Sequence, residues 1–132
     1  MKKLLVVTAV IEVGAGVALM CCPSATVALL LGSPLDTPAA VTLGRVAGAA
    51  LFALGVACWI AQYDAQSFAA RGLVSAMALY NLGAVIILGA GGFWLQPVGI
   101  ALWPAVALHA VMAIWCVTYL LKKPIQTSEK MK

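Results

Sequence analysis

Glu12, Arg45, Tyr80, Asn81 and His109 are the side chains of this sequence best suited to chemistry, and each interrupts an apolar run. A carboxylate, a guanidinium, a phenol, an amide and an imidazole could share a proton, neutralise one another or grip the polar head of a ligand. Isolated in hydrocarbon, Glu12 and Arg45 would each be costly, on the order of 3 kcal/mol on insertion scales. That cost gives each of them a reason to face a partner.

The elements that must position these groups are four apolar segments, read as spans over about 4–22, 41–62, 71–90 and 99–121. A helix needs roughly 20 apolar residues to cross a hydrocarbon core ~30 Å thick. Hydrophobic residues form 64% of the chain and charged ones 9%, whereas soluble domains carry about 25% charged residues. With a mean hydropathy of +1.08, the chain has lipid as its main solvent. The spans use most of the 132 residues, leaving one membrane domain over 1–123 and a polar tail over 124–132. The expected fold is all-α: a four-transmembrane-helix bundle with a short interfacial helix after the first span.

That short helix is expected over Ser24 to Leu31, between Pro23 and Gly32-Ser33-Pro34, with Ser24 as its cap. It is too short to span. Gly44, Gly48 and Gly55 fall near one face of the second span, where a neighbouring helix can approach closely. Gly91-Gly92 should end the third span, ahead of an aromatic turn with Phe93, Trp94, Gln96 and Pro97, and Pro104 should bend the fourth. Glu12 inside the first run, with no A-x-A ending, argues for a retained helix rather than a cleaved leader.

The net charge of +4 does not indicate a nucleic-acid partner. Seven of the eight basic residues lie at the N-terminus, in or beside the middle link, and at the C-terminus. Basic residues gathered at span ends mark the cytoplasmic side, so both termini are expected there. Trp94 and Trp103 would mark the outer interface, and Trp59, Tyr63, Phe68 and Tyr119 the inner one.

Counting ~1.5 Å per residue from the outer span ends puts Glu12 and His109 at ~15 Å and Asn81 at ~14 Å. Tyr80 lies one step deeper. Arg45 starts near ~6 Å, with a long side chain able to reach inward. The expectation is one network of Glu12, Arg45, Asn81 and His109, with Tyr80 as a fifth member, acting as structural glue or as a ligand or proton site.

Other chemistries find little support. One histidine cannot supply both imidazoles to a b-type haem, and a histidine with a carboxylate is too small a set for closed zinc coordination. The four cysteines contain no CxxC pair and behave as small apolar residues. Ser75 and Thr8 have no matching base, and helix-borne hydroxyls commonly bond their own backbone. No cofactor and no catalytic residue is assigned.

Three stretches carry a resemblance: Pro23 to Gly32 around the short helix; Gly44-Arg45-Val46-Ala47-Gly48-Ala49-Ala50-Leu51-Phe52-Ala53-Leu54-Gly55; and Leu79-Tyr80-Asn81 with Leu108-His109. In these the chain resembles the small DoxX-like four-helix membrane proteins of bacteria. The resemblance implies a multi-pass protein of the bacterial cytoplasmic (inner) membrane, beside redox or lipid enzymes. Ile11-Glu12-Val13-Gly14 is also similar to the first helix of small multidrug resistance transporters, where Glu12 would couple protons to substrate. Ser24 to Leu31 has no counterpart in that family. The leading expectation is a non-enzymatic binding or accessory subunit that holds an amphipathic lipid, a quinone or a partner helix at the polar layer. A proton-coupled transporter using Glu12 is the alternative. Membrane lipid is the expected partner, and self-association is left open.

Overall fold

The computed structural model describes residues 1–94 and 97–122; the expected tail over 124–132 and Gln96 of the aromatic turn lie outside them. The regular elements of the described chain are all helical, with no strand among the described residues: α1 (Lys2–Cys21), α2 (Pro23–Leu31), α3 (Pro38–Ala61), a 3-10 turn (Gln62–Asp64), α4 (Phe68–Trp94) and α5 (Leu102–Lys122). Helices α1, α3, α4 and α5 are long and apolar enough to cross a membrane. Large apolar side chains such as Leu43, Ile60, Ile86 and Ile114 point outward, as suits a multi-pass membrane protein.

The helix ends differ from the sequence reading for identifiable reasons. Helix α3 starts at Pro38 because Thr37 caps it, its hydroxyl accepting the Ala40 N–H at 3.1 Å, with proline at the first position. Ser67 does the same for α4, accepting the Ala70 N–H at 3.1 Å, so that helix begins before Arg71. Gly91 and Gly92 do not end α4. A Cβ on Gly92 would lie 3.0 Å from both Leu102 and Trp103, so this glycine admits the start of α5 instead. Helix α5 begins at Leu102, because the preceding turn runs along α2, where the Ala101 N–H donates to the Leu29 carbonyl at 2.9 Å. Pro104 therefore sits in the first helical turn, where no intrahelical hydrogen bond is lost, rather than bending a longer helix.

Ser24 does not cap α2. Cys22 occupies that position with Pro23 next to it, and the Ser24 hydroxyl instead accepts the Leu35 N–H at 3.0 Å. The far end of α2 closes on Gly32 at φ 84, a left-handed conformation that favours glycine. Side chains at Gly32 and Gly99 would collide with the backbone of Pro97 and Leu29 respectively. The turn before α5 and the end of α2 are thus in backbone contact.

The long helices associate as two pairs, α1 with α3 and α4 with α5. Glycine sets the first pair. A Cβ on Gly48 would stand 2.8 Å from the Gly16 oxygen and 2.8 Å from the Met20 nitrogen; one on Gly55 would stand 2.8 Å from the Val13 nitrogen. Gly44 meets Pro23 and Leu35 instead. Gly16, on α1, completes this contact and was not anticipated from sequence. The two pairs join towards the end carrying Lys2, Lys3, Arg71 and Lys122, through a core that includes Leu4, Leu5, Cys58, Val74, Met77, Met112 and Cys116. There the Arg71 guanidinium donates to the Leu120 carbonyl at 3.4 Å, tying α4 to the last turn of α5.

Two predictions follow from this packing. Gly48→Ala sets a methyl group against backbone that cannot rotate away, so it should lower stability by about 1–3 kcal/mol. Gly72→Ala, with nothing within 4 Å of the added carbon, should be neutral or slightly stabilising; thermal unfolding in one detergent compares the two. Gln62 is buried with its Nε2 unpartnered. Gln62→Met keeps the shape and removes the unpaired donor, so its melting temperature should equal or exceed wild type.

Candidate functional site

Each helix contributes its part of the site through its own periodicity. On α1 the buried stripe Leu4, Leu5, Thr8, Ala9, Glu12 and Gly16 includes the carboxylate, and Glu12 is only 3% exposed. On α4 the stripe Val74, Met77, Ala78 and Asn81 brings the amide inside. His109 lies one turn before Met112 on the inward side of α5.

Asn81 and His109 meet. The Asn81 Nδ2 donates to the Met77 carbonyl at 2.7 Å, and its Oδ1 lies 2.8 Å from His109 Nδ1. The Met77 oxygen can only accept, which fixes the orientation of the amide. The Asn81 oxygen can likewise only accept, so His109 Nδ1 must carry the proton. The Tyr80 ring stands edge-on to the imidazole, with centroids 5.6 Å apart and planes at 83°.

Glu12, Tyr80 and His109 all line one cavity of about 560 Å³ between the two helix pairs. Its remaining walls are apolar and rise from these residues towards α2, through Ala15 and Leu19, Gly83 and Leu88, Ala105, and Leu30 of α2. Thr26 also faces it, but its hydroxyl is engaged with the Cys22 carbonyl at 2.9 Å and the Ala18 carbonyl at 3.2 Å. Leu79 and Ile87, two further lining residues, are each 72% exposed, so the cavity is open at the side of the bundle.

Arg45 does not join this group. It is exposed on α3 and makes no ion pair with Glu12. The helix contacts explain why. Glu12 lies level with Gly55, which is seated against Ala9 and Val13, whereas Arg45 follows Gly44, which meets Pro23. The ten residues between Arg45 and Gly55 correspond to ~15 Å along the axis, beyond the reach of a guanidinium. The expected five-member network therefore reduces to Asn81, His109 and Tyr80, with Glu12 on the same cavity wall and, among the described residues, no counter-charge paired with it.

Among the described residues, no protein hydrogen bond reaches the Glu12 carboxyl, the Tyr80 hydroxyl or His109 Nε2. Nor do three His, Cys, Asp or Glu side chains gather as a metal site would need. Gly44, Gly48 and Gly55 lie apart from the cavity lining, at the α1–α3 and α2–α3 contacts. The residues that sequence reasoning missed are its apolar lining from α2 and α4, which carry no signal beyond hydrophobicity. No protein-family model, curated protein or solved structure matches the chain.

The revised connectivity has a direct test. A double-mutant cycle of Asn81→Ala with His109→Phe should give a coupling of about 0.6–2 kcal/mol, typical of hydrogen bonds inside membrane proteins. The cycle of Glu12→Gln with Arg45→Gln should give none. A coupling near zero in the first cycle or above 1 kcal/mol in the second, by unfolding in detergent, would contradict the geometry.

Proposed function

We propose that this protein is a non-enzymatic membrane protein that binds a small amphipathic molecule, a lipid or a quinone, in the cavity between its helix pairs. One observation carries the reading: an apolar cavity of about 560 Å³ has three polar side chains on one wall, and among the described residues the Glu12 carboxyl, the Tyr80 hydroxyl and His109 Nε2 take no protein hydrogen bond. Volumes of roughly 300–1,000 Å³, mostly apolar with a few convergent polar groups, characterise small-molecule sites. Covering a polar atom without pairing it costs about 1–3 kcal/mol, so a ligand whose head pairs with Glu12, Tyr80 or His109 avoids that cost while its tail is buried.

The apolar tail would lie along Leu19, Leu30 and Leu88, with the head at the Glu12 level. A compact guest suits this space better than a partner helix, because α2 and the turn before α5 cover its end. We place the end bearing Lys2, Lys3, Arg71 and Lys122 on the cytoplasmic side, following the usual distribution of basic residues.

Gly83 supplies the test. It lines the cavity, and a side chain there meets nothing within 4 Å at its first carbon. Gly83→Leu should therefore fill the space and leave the fold intact. Protein extracted gently, then treated with organic solvent for mass spectrometry, should carry one amphipathic species near stoichiometric amount. The variant should lose it at least about tenfold, as expected when burial of a head or tail is denied. Identical complements in both proteins, or only bulk lipid in wild type, would refute the proposal.

A further inference from the structure

We infer that Asn81 decides which head group the cavity takes: by holding His109 as a hydrogen-bond acceptor, it selects a molecule that donates a hydrogen bond, a phenol or an alcohol, over one that can only accept. This rests on the binding reading above and names the ligand chemistry within it.

The chain of constraint starts at a backbone atom. The Met77 carbonyl takes one hydrogen of the Asn81 amide at 2.7 Å, which turns the amide oxygen to His109 Nδ1 at 2.8 Å. An imidazole that donates from Nδ1 has, in its neutral form, a bare lone pair at Nε2. That nitrogen has no protein partner among the described residues, and the ring lines the cavity. Glu12, on the same wall, offers oxygen lone pairs in either protonation state. Tyr80 can give or accept and adapts to its neighbour. The wall is therefore richer in acceptors than in donors.

A phenol or alcohol can donate to His109 or Glu12 and accept from Tyr80. An ether, ester or ketone can accept only from Tyr80, or from Glu12 when its carboxyl is protonated, and in either case leaves the imidazole nitrogen covered and unpaired. Sites built around such a bond reject the analogue lacking it far more strongly than an apolar pocket rejects a lost methylene. A quinol can pair with the whole wall whereas its quinone leaves His109 unpaired, so a site of this kind would bind both redox forms of one carrier but favour the reduced one. Asn81 acts here as a positioning residue: it is not on the cavity lining, and its influence runs through the tautomer of its neighbour.

His109 is the chain's single histidine, so nitrogen NMR of the labelled imidazole reads its tautomer without assignment. The protein in phosphatidylcholine nanodiscs at neutral pH should show Nδ1 protonated and Nε2 bare. Predominance of the Nε2–H form or of the doubly protonated ring overturns the inference. In the same nanodiscs, 4-octylphenol should bind at least about tenfold more tightly than its methyl ether, 4-octylanisole. In Asn81→Leu the ratio should fall below about threefold, as the ring regains its choice of tautomer. Should that variant not fold, the wild-type ratio and the imidazole spectrum still decide the matter. Equal binding of both probes removes the selection and leaves the binding site standing; binding of neither removes the site as well.

Discussion

The close approach of α1 to α3 is the constraint on which the rest of the arrangement depends. Gly16, Gly48 and Gly55 let two backbones meet where any side chain would hold them apart. This contact fixes not only the distance between the helices but also the rotation of α1 about its own axis. Ala9, Val13, Gly16 and Met20 are committed to α3. At ~100° per residue, the strip of Ile11, Glu12, Ala15 and Leu19 lies about a third of a turn away, and that strip lines the cavity. The carboxylate thus faces the gap between helix pairs because glycines elsewhere on its helix have taken the other face.

The bundle is divided along its length. Towards the end bearing Lys2 and Lys122, Leu4, Leu5, Met77, Met112 and their neighbours pack into a common core. Towards α2 the pairs part, and the space between them becomes the cavity. Asn81 and His109 bond at the boundary, and Glu12 and Tyr80 lie beside them. Polar groups in hydrocarbon are tolerated where they face the interior of a bundle or a cavity, and this boundary provides both conditions. Cys58 and Cys116 are buried in the packed half as small side chains between helices, while Cys21 and Cys22 are exposed near α2.

Much of this was legible in the sequence, because hydrophobic length alone identifies four helices able to span, and a residue count puts Asn81 level with His109. Arg45 shows where counting fails. A depth counted from Val41 omits the first turn of the helix, because Thr37 caps α3 at Pro38. The difference that matters is lateral: depth says nothing about which way a side chain faces, and apart from Thr42 and Arg45 the exposed side of α3 is as apolar as the buried one. Gly91 and Gly92 mislead for a related reason, since glycine marks a helix end in water but a close neighbour in a bundle. The partner of the α3 glycines, Gly16, stood in plain view, yet one glycine among many carries no direction.

The stitching of α2 to the turn before α5, through Leu29, Gly32, Pro97 and Gly99, has a bearing on how the interior is reached. Backbone meets backbone there beside the α2 residues Thr26 and Leu30 that line the cavity, whereas Leu79 and Ile87 of its lining stand open to the flank. A guest of the kind proposed would then reach the cavity from the surrounding bilayer. Its effective concentration is a mole fraction among lipids, so a sparingly water-soluble compound can saturate the interior while its level in the aqueous phase stays negligible.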